Sequence, residues 1–453
     1  MNKRTVPVAL TIAGSDSGGG AGVQADIKTF AALGVHGAAA ITAITAQNTC
    51  SVRAIQPLNP EIVKAQIKAV AEDMGINAGK TGMLYTAEIV RAVAEGVSLY
   101  GFPLVVDPVI VAKVGSPLLE AEAINALKNC LLPKATVITP NKFEAEKLAE
   151  MEIKSLEDAE IAARKISELG VKAVVVKGGH FEGVEAVDIL YYDGKIERFS
   201  ASRLDAKTTH GTGCIFSAAI TAQIAKGDDI PVAVEKAKIF VVSAIKHGFA
   251  VGKGYGPVNP MAQLHREASR YSVLVNVDEA GKLLMSSPVT AKLVPEVGMN
   301  VAMAVPYAES IGDVAAFPGR MVKAFAQVKT VGCPCFGGST HLASYLLEIM
   351  KHNPEKRAAI NLKFSEETLR LLESKNLKIS FYNRMEEPEE IKRVEGLTVP
   401  WGVNQAIKRF GAIPDVIYHR GDVGKEPMIV VFGKDAISLA RLVVEIAEEM
   451  KND

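Results

Sequence analysis

What the chain lacks narrows its function before any motif is read. It has no excess charge of either sign, since 51 Lys+Arg balance 51 Asp+Glu for a formal net charge of +0. Binding to nucleic acid or to acidic membranes is driven by surplus Lys and Arg on one face, so neither partner is expected, and only local phosphate sites stay open. A long apolar run at the start is also missing. Met1-Asn2-Lys3-Arg4-Thr5 leads into a short stretch, Val6 to Ile12, and then glycine. That is too short for a signal peptide or a membrane span and predicts a cytoplasmic protein. Cysteine is scarce and odd in number: Cys50, Cys130, Cys214, Cys333 and Cys335 in 453 residues. This is no disulfide framework and predicts reduced thiols. Repeats and low-complexity tracts are absent. With 48% hydrophobic and 23% charged residues, global disorder is excluded. A length about three times the ~150-residue modal domain predicts two or three domains.

What is present is α/β patterning. Over the first 250 or so residues, short β-branched runs alternate with alanine-rich helical stretches, as in Leu104-Val105-Val106-Asp107, Thr136-Val137-Ile138-Thr139 and Ala173-Val174-Val175-Val176-Lys177. Runs that are apolar throughout imply parallel strands covered on both faces. Each ends in a polar residue or a turn, and ligands of such sheets gather at the carboxyl ends of strands. The cluster Gly252 to Pro260 breaks the pattern, which places the domains at 1–262 and 272–453. Beyond it, Asn300 to Val305, Ala358 to Phe364, Leu377 to Tyr382, Pro414 to His419 and Pro427 to Phe432 predict a second α/β domain. The alternation in Leu377-Lys378-Ile379-Ser380-Phe381 suggests a half-exposed strand. Leu439, Val443, Ile446 and Met450 mark a closing amphipathic helix.

Five of the nine residues Gly14-Ser15-Asp16-Ser17-Gly18-Gly19-Gly20-Ala21-Gly22 are glycine. Lying between a strand and a helix, this loop is expected to bring backbone N–H groups against an anion or a flat substrate. It is not a dinucleotide fingerprint, because Val23 stands where the third glycine belongs. Gly75 to Thr81 is not a P-loop, having three residues between its glycines where four are needed.

Thr208-Thr209-His210-Gly211-Thr212-Gly213-Cys214 leads into the stripe Phe216, Ile220 and Ile224. A helix therefore begins near Gly211 to Gly213, with its positive end lined by small residues. Its amides suit the charge that develops on a transferring phosphoryl group. The same position predicts a lowered thiol pKa for Cys214, a partial thiolate able to take a proton from a substrate hydroxyl.

With these segments on the page, the first 260 or so residues resemble the hydroxymethylpyrimidine and phosphomethylpyrimidine kinases of thiamine synthesis. The motifs are Gly14 to Asp26, Thr45-Ala46-Gln47-Asn48-Thr49, Lys80-Thr81-Gly82-Met83-Leu84, Asp107-Pro108-Val109, Thr139 to Glu144, Lys177-Gly178-Gly179-His180 and His210 to Cys214. The resemblance implies a ribokinase-like fold, a mostly parallel sheet with helices on both faces. It also implies ATP as co-substrate, Mg2+ and a homodimer. Residue by residue, it implies that Gln47 and Asp26 hydrogen-bond the aminopyrimidine and that Gly14 and Met83 line its pocket. Asp107 and Glu144 serve the metal, and Asn141 and Lys177 approach the nucleotide phosphates. An aminopyrimidine edge, one donor beside ring-nitrogen acceptors, matches a side-chain amide.

In the second half, Cys333-Pro334-Cys335 has one intervening residue and no second pair, which does not fit structural zinc. Ser339-Thr340-His341 reads as a capped helix start facing phosphate, and Arg320, after Pro318-Gly319, as a fork of donors. With Val399-Pro400-Trp401-Gly402 and His419 to Pro427, these segments resemble the archaeal-type thiamine phosphate synthase domain, with a three-layer α/β fold and a mixed sheet. That domain joins hydroxymethylpyrimidine diphosphate to hydroxyethylthiazole phosphate and releases pyrophosphate. Arg320 and His341 are the expected clamp, with Arg420 and Lys425 as second choices. A rival reading keeps a pyrimidine or pyridoxal kinase and makes the second domain a non-catalytic sensor of thiamine phosphate. Gln47 favours the pyrimidine, and a regulator of that kind would carry a DNA-binding helix-turn-helix.

Overall fold

Successive side chains of a strand point to opposite faces, and the buried runs obey this. Leu104 and Val106 enter one core layer and Val105 the other; Val174 and Val176 share the first layer, Ala173 and Val175 the second. Apolar side chains on both faces demand cover on both faces, which the helices supply. The computed structural model describes residues 6–110, 118–422 and 424–450. The opening Met1–Thr5 and Val423 of the His419 to Pro427 segment lie outside them. The chain divides into two compact units, Met1–Gln263 and Leu264–Asp453, each with its own sheet and core.

In the first unit, β1 (Val8–Asp16), β2 (His36–Gln47), β3 (Val52–Pro57), β4 (Ala78–Thr81), β5 (Leu104–Val106), β6 (Val137–Ile138), β7 (Ala173–Val176), β8 (Glu185–Tyr192) and β9 (Lys195–Ser202) form a nine-stranded sheet. Its order is β3-β2-β1-β4-β5-β6-β7-β8-β9. The central strands β2, β1, β4, β5, β6 and β7 pair in parallel in that order, while β3, β8 and β9 join antiparallel at the edges. Parallel pairing puts Asp16, Gly82, Asp107, Thr139 and Lys177 along one edge, where ligands of such sheets bind. The helix Thr212–Ala225 is buried nearly all round instead of carrying one apolar stripe. Ile215, Phe216, Ala219 and Ile220 enter one core cluster, and Ala218, Ala222 and Ala225 another. A helix enclosed in this way has no solvent face to make polar.

In the second unit, β10 (Val301–Ala304), β11 (Val314–Ala316), β14 (Cys335–Phe336), β15 (Ala358–Lys363), β16 (Ile379–Phe381), β17 (Val416–His419) and β18 (Met428–Gly433) form a seven-stranded sheet. Its order is β14-β11-β10-β15-β18-β17-β16, and β12 (Met321–Ala324) and β13 (Gln327–Thr330) form a separate hairpin. The pair β16–β17 is parallel and the others are antiparallel, so the sheet is mixed. Ile360 and Leu362 face a layer formed by helices Arg270–Ser286, Glu366–Ser374 and Ala436–Glu449, whereas Ala359, Val430 and Phe432 face helices Thr340–His352 and Thr398–Phe410. Three layers result. β16 begins two residues later than the pattern from Leu377 predicts and lies at the sheet edge, as its alternation requires.

Candidate functional site

A cavity of about 460 Å3 opens along the carboxyl edge of the first sheet, within the usual size range of small-molecule sites. Ten of the eleven candidate residues of the first unit line it, at a phosphate end and a substrate end. Asp107 directly follows β5, and its Oδ1 accepts from Lys177 Nζ at 2.9 Å. Glu144 Oε2 stands 4.0 Å from the same Nζ. Asn141 caps the helix Lys142–Ala149 in a capping box: its side chain accepts from the Glu144 N–H, and the Glu144 carboxylate accepts from the Asn141 N–H. This box fixes the Glu144 carboxyl beside Asp107. Burial pushes the Glu144 carboxyl up to about 7, with Asp107 adding to the rise and Lys177 opposing it. Burial works against charge on Lys177 as well, yet Asp107 and Glu144 hold it above its usual range.

Gly213 completes this end. A Cβ there would lie 3.3 Å from Lys177 Nζ and 3.6 Å from Asp107 Oδ2, so the helix Thr212–Ala225 offers bare backbone to the cavity. Gly211, its N-cap at φ 84°, is needed for another reason, since a Cβ would sit 1.8 Å from the Gly20 carbonyl oxygen. Two adjacent carboxylates suit Mg2+, a hard ion that commonly takes one or two carboxylates and completes its shell with water and substrate phosphates. Among the described residues no group of three or more His, Cys, Asp or Glu side chains forms a metal cage, so phosphate oxygens are the remaining ligands such an ion would need.

At the other end, Gly14, Gln47 and Met83 line the cavity. The glycine loop behaves differently from its expectation. Its amides turn inward: Gly18, Gly20 and Ala21 donate to the Asp16 carboxylate at 2.8, 3.1 and 2.8 Å. His210 Nε2 lies 3.0 Å from Asp16 Oδ2 and 3.3 Å from Gln47 Nε2. Burial pushes the Asp16 carboxyl up, but His210 and the loop amides outweigh it and hold it below the usual range. Asp26 does not reach the cavity. It is fully buried, with its carboxylate bound by Lys80 Nζ at 3.0 and 3.2 Å and by the Thr11 hydroxyl at 2.6 Å. Lys80, on β4, lines the cavity in its place.

Cys214 lines the cavity in the first turn of its helix, but the lowered thiol pKa is overturned. Burial pushes the thiol up to about 11, Asp26 and Asp107 add to the rise, and the opposing pull of Lys80 falls short. A helix terminus shifts a thiol through a partial charge, whereas removing the thiolate from water is the larger effect here.

In the second unit, Ser339 caps the helix Thr340–His352 by accepting from the Leu342 N–H. This sets His341 in the first turn, its ring edge-on to Tyr345 at 5.2 Å. Burial pulls the His341 imidazole down to about 4, and Arg320, Arg384 and Lys425 add to the drop. Arg320 has φ 68°, in a Pro-Gly-Arg turn, and donates to the Val297 carbonyl. Arg420 stands elsewhere, exposed and paired with Glu366 at 2.7 Å. Sequence patterning does not single out Asp16, His210 or Lys80 for their roles in the first unit, nor Arg384 and His419 in the second. Asp16, His210 and Lys80 at least lie inside the quoted motifs, whereas Arg384 lies in no motif.

Residues 16–259 match the family model described as phosphomethylpyrimidine kinase, and residues 276–445 the one described as thiamine-phosphate synthase ThiN. The bifunctional thiamine biosynthesis protein ThiDN of Methanocaldococcus jannaschii is 35% identical over 98% of this chain and 99% of its own length. The hydroxymethylpyrimidine/phosphomethylpyrimidine kinase of Bacillus subtilis is 48% identical over 56% of this chain and 94% of its own. An ADP complex of a Bacillus subtilis pyridoxal kinase superimposes with a TM-score of 0.54 at 40% identity, covering 57% of this chain and 99% of that one. The first unit thus has the ribokinase-like fold.

Proposed function

The chain belongs to the bifunctional thiamine-biosynthesis family that joins a hydroxymethylpyrimidine and phosphomethylpyrimidine kinase to a thiamine phosphate synthase domain, and from that premise we propose how residues 1–262 and 272–453 perform their steps. One observation carries the kinase reading: Gln47 and Met83, Cys214, and the Asp107, Glu144 and Lys177 group all line one cavity.

Gln47 pairs with the aminopyrimidine edge, Gly14 and Met83 pack its ring, and the hydroxymethyl group points toward Cys214. The hydroxyl oxygen attacks the γ-phosphorus of ATP, the bond to the β-bridging oxygen breaks with its electrons leaving on ADP, and the hydroxyl proton passes to the thiolate form of Cys214. Amides at Gly211 and Gly213 meet the charge on the transferring group, and Lys177 and Asn141 hold phosphate oxygens. Asp107 and Glu144 would hold Mg2+, which would supply neutralisation of phosphate charge. The second round uses the new phosphate monoester as acceptor. In the synthase unit the carbon–oxygen bond between the pyrimidine methylene and the diphosphate breaks, its electrons leave on pyrophosphate, and the thiazole nitrogen lone pair forms the new carbon–nitrogen bond. Arg320, His341 and Lys425 stabilise the departing pyrophosphate.

The substrates are small molecules. We place the enzyme in the cytoplasm as a homodimer without nucleic acid or membrane partners; its five free thiols suit a reducing compartment, and among the described residues no helix is long and apolar enough to cross a membrane. The test supplies hydroxymethylpyrimidine, thiazole phosphate, ATP and Mg2+ and follows thiamine phosphate, with pyridoxal as a competing acceptor because of the structural likeness. Thiamine phosphate with stoichiometric pyrophosphate is expected. Accumulation of the diphosphate with no condensation would sink the synthase step.

A further inference from the structure

In the second unit, β16 and β17 run parallel, so the residues just past their carboxyl ends share one edge of the sheet. Arg384 follows β16 in a one-turn helix, and His419 is the last residue of β17. His341 meets the same group through Tyr345: its ring is edge-on to Tyr345, the Tyr345 hydroxyl lies 2.8 Å from the Tyr382 hydroxyl, and the Tyr382 ring is 5.2 Å from His419. Arg320 and Lys425 act on His341 as charges from two further segments.

This group is electrically and chemically incomplete. It contains three cations, Arg320, Arg384 and Lys425. Two imidazoles are kept neutral near pH 7, His341 by burial with Arg320, Arg384 and Lys425, and His419 by burial with Arg384 and His341. The carboxylate facing Arg384 is that of Glu387, 3.7 Å away and also accepting from the Thr398 hydroxyl. Two buried side-chain nitrogens, Arg384 Nε and His341 Nε2, find no hydrogen-bond partner among the described residues. Buried polar atoms are rarely left unpaired in a finished site. A ligand that accepts from Arg384 Nε and from the Nε2–H tautomer of His341 would pair both atoms, on two side chains that already act on one another. A diphosphate matches, offering several anionic oxygens, and a guanidinium pairs with phosphate oxygens through two donors at once.

We propose that Arg384 is a diphosphate-binding residue of the synthase unit, closing with Arg320, His341 and Lys425 around the pyrophosphate moiety. The inference rests on the synthase reading, and Arg384 adds to the clamp a residue that no sequence motif marks. Glu387 holds the guanidinium in place before the ligand arrives and competes with the ligand for it.

The test uses the intact chain with pyrophosphate as probe. Trp401 is the single tryptophan and stands edge-on to Tyr382 at 6.0 Å, so its fluorescence reports both folding and binding in this unit without interference from the kinase cavity. Arg384→Ala should weaken pyrophosphate binding, and raise the KM for pyrimidine diphosphate, by about tenfold to a hundredfold, the usual loss for one charge-assisted contact. Arg384→Lys, which keeps the charge without the fork, should fall between. Glu387→Gln should tighten binding, a change that a purely structural role for Arg384 would not produce. Unchanged pyrophosphate affinity in both Arg384 variants overturns the proposal. If Arg384→Ala alters the unliganded tryptophan spectrum, Arg384→Lys and Glu387→Gln decide between the same two results. A chain that condenses normally but binds pyrophosphate regardless of Arg384 refutes this inference and leaves the synthase reading standing. A chain that binds through Arg384 but never condenses refutes the synthase reading alone.

Discussion

Cys214 shows how one side chain can answer to two opposing fields. Its place at a helix start favours a thiolate, and its enclosure disfavours one more strongly, leaving the thiol at about 11. If it takes the proton of the pyrimidine alcohol, the first phosphorylation depends on a small thiolate fraction. That fraction grows about tenfold per pH unit below the thiol pKa. The rate of the first step should therefore climb steeply from pH 7 to 9. The second phosphorylation should not climb, because its acceptor is a phosphate monoester whose second pKa is near ~6 and which is already ionised at pH 7. Cys214→Ala should slow the first step by about a hundredfold to ten-thousandfold while sparing the second and leaving nucleotide binding unchanged. Separate steady-state assays with the alcohol and with its monophosphate make the comparison. Equal losses in both steps, or a first step flat with pH, would make the thiol a packing residue.

At the level of elements, the two glycines that start the helix Thr212–Ala225 make separable demands. Gly213→Ala places a methyl group against Lys177 and Asp107 without requiring a left-handed backbone. It should cost kinase rate and ATP affinity while the melting temperature stays close to that of the parent chain. Gly211→Ala combines φ 84° with a clash against the Gly20 carbonyl and should instead destabilise the first unit by several kcal/mol. Thermal melts beside kinase assays distinguish the two, and similar behaviour of both variants would contradict this division. The same helix shows what is legible from residues alone. Its start is marked by Gly211-Thr212-Gly213, and the carboxyl ends of strands by Asp107-Pro108 and Thr139-Pro140-Asn141, because turns and caps are local chemistry. The direction of loop amides is not local. Gly18, Gly20 and Ala21 bind Asp16 because His210, 194 positions away, helps to fix that carboxylate. Asp26 is likewise tied to Lys80, 54 positions on, which removes it from the cavity wall. Arg384 follows a three-residue edge strand and gains its meaning only from β17 beside it.

Across the whole molecule, zero net charge hides opposite local designs. The first unit sets carboxylates around lysines where a metal and phosphates would meet, and the second gathers three cations around two neutral imidazoles. Because each unit has its own sheet and core, a lesion in one site is expected to leave the other site working. The diphosphate made by the kinase is the substrate of the synthase, so two defective chains should complement each other. Cys214→Ala stops the pathway at the alcohol, and Arg320→Ala stops it at condensation; neither alone should make thiamine phosphate from hydroxymethylpyrimidine. Mixed, they should make it after a lag that shortens as protein concentration rises, because the diphosphate must leave one chain and find another. The intact chain should show the same lag at equal site concentration if linkage in one chain confers no raised effective concentration. A mixture that makes no product, while each variant keeps its remaining activity, would mean that the intermediate does not leave the chain that makes it.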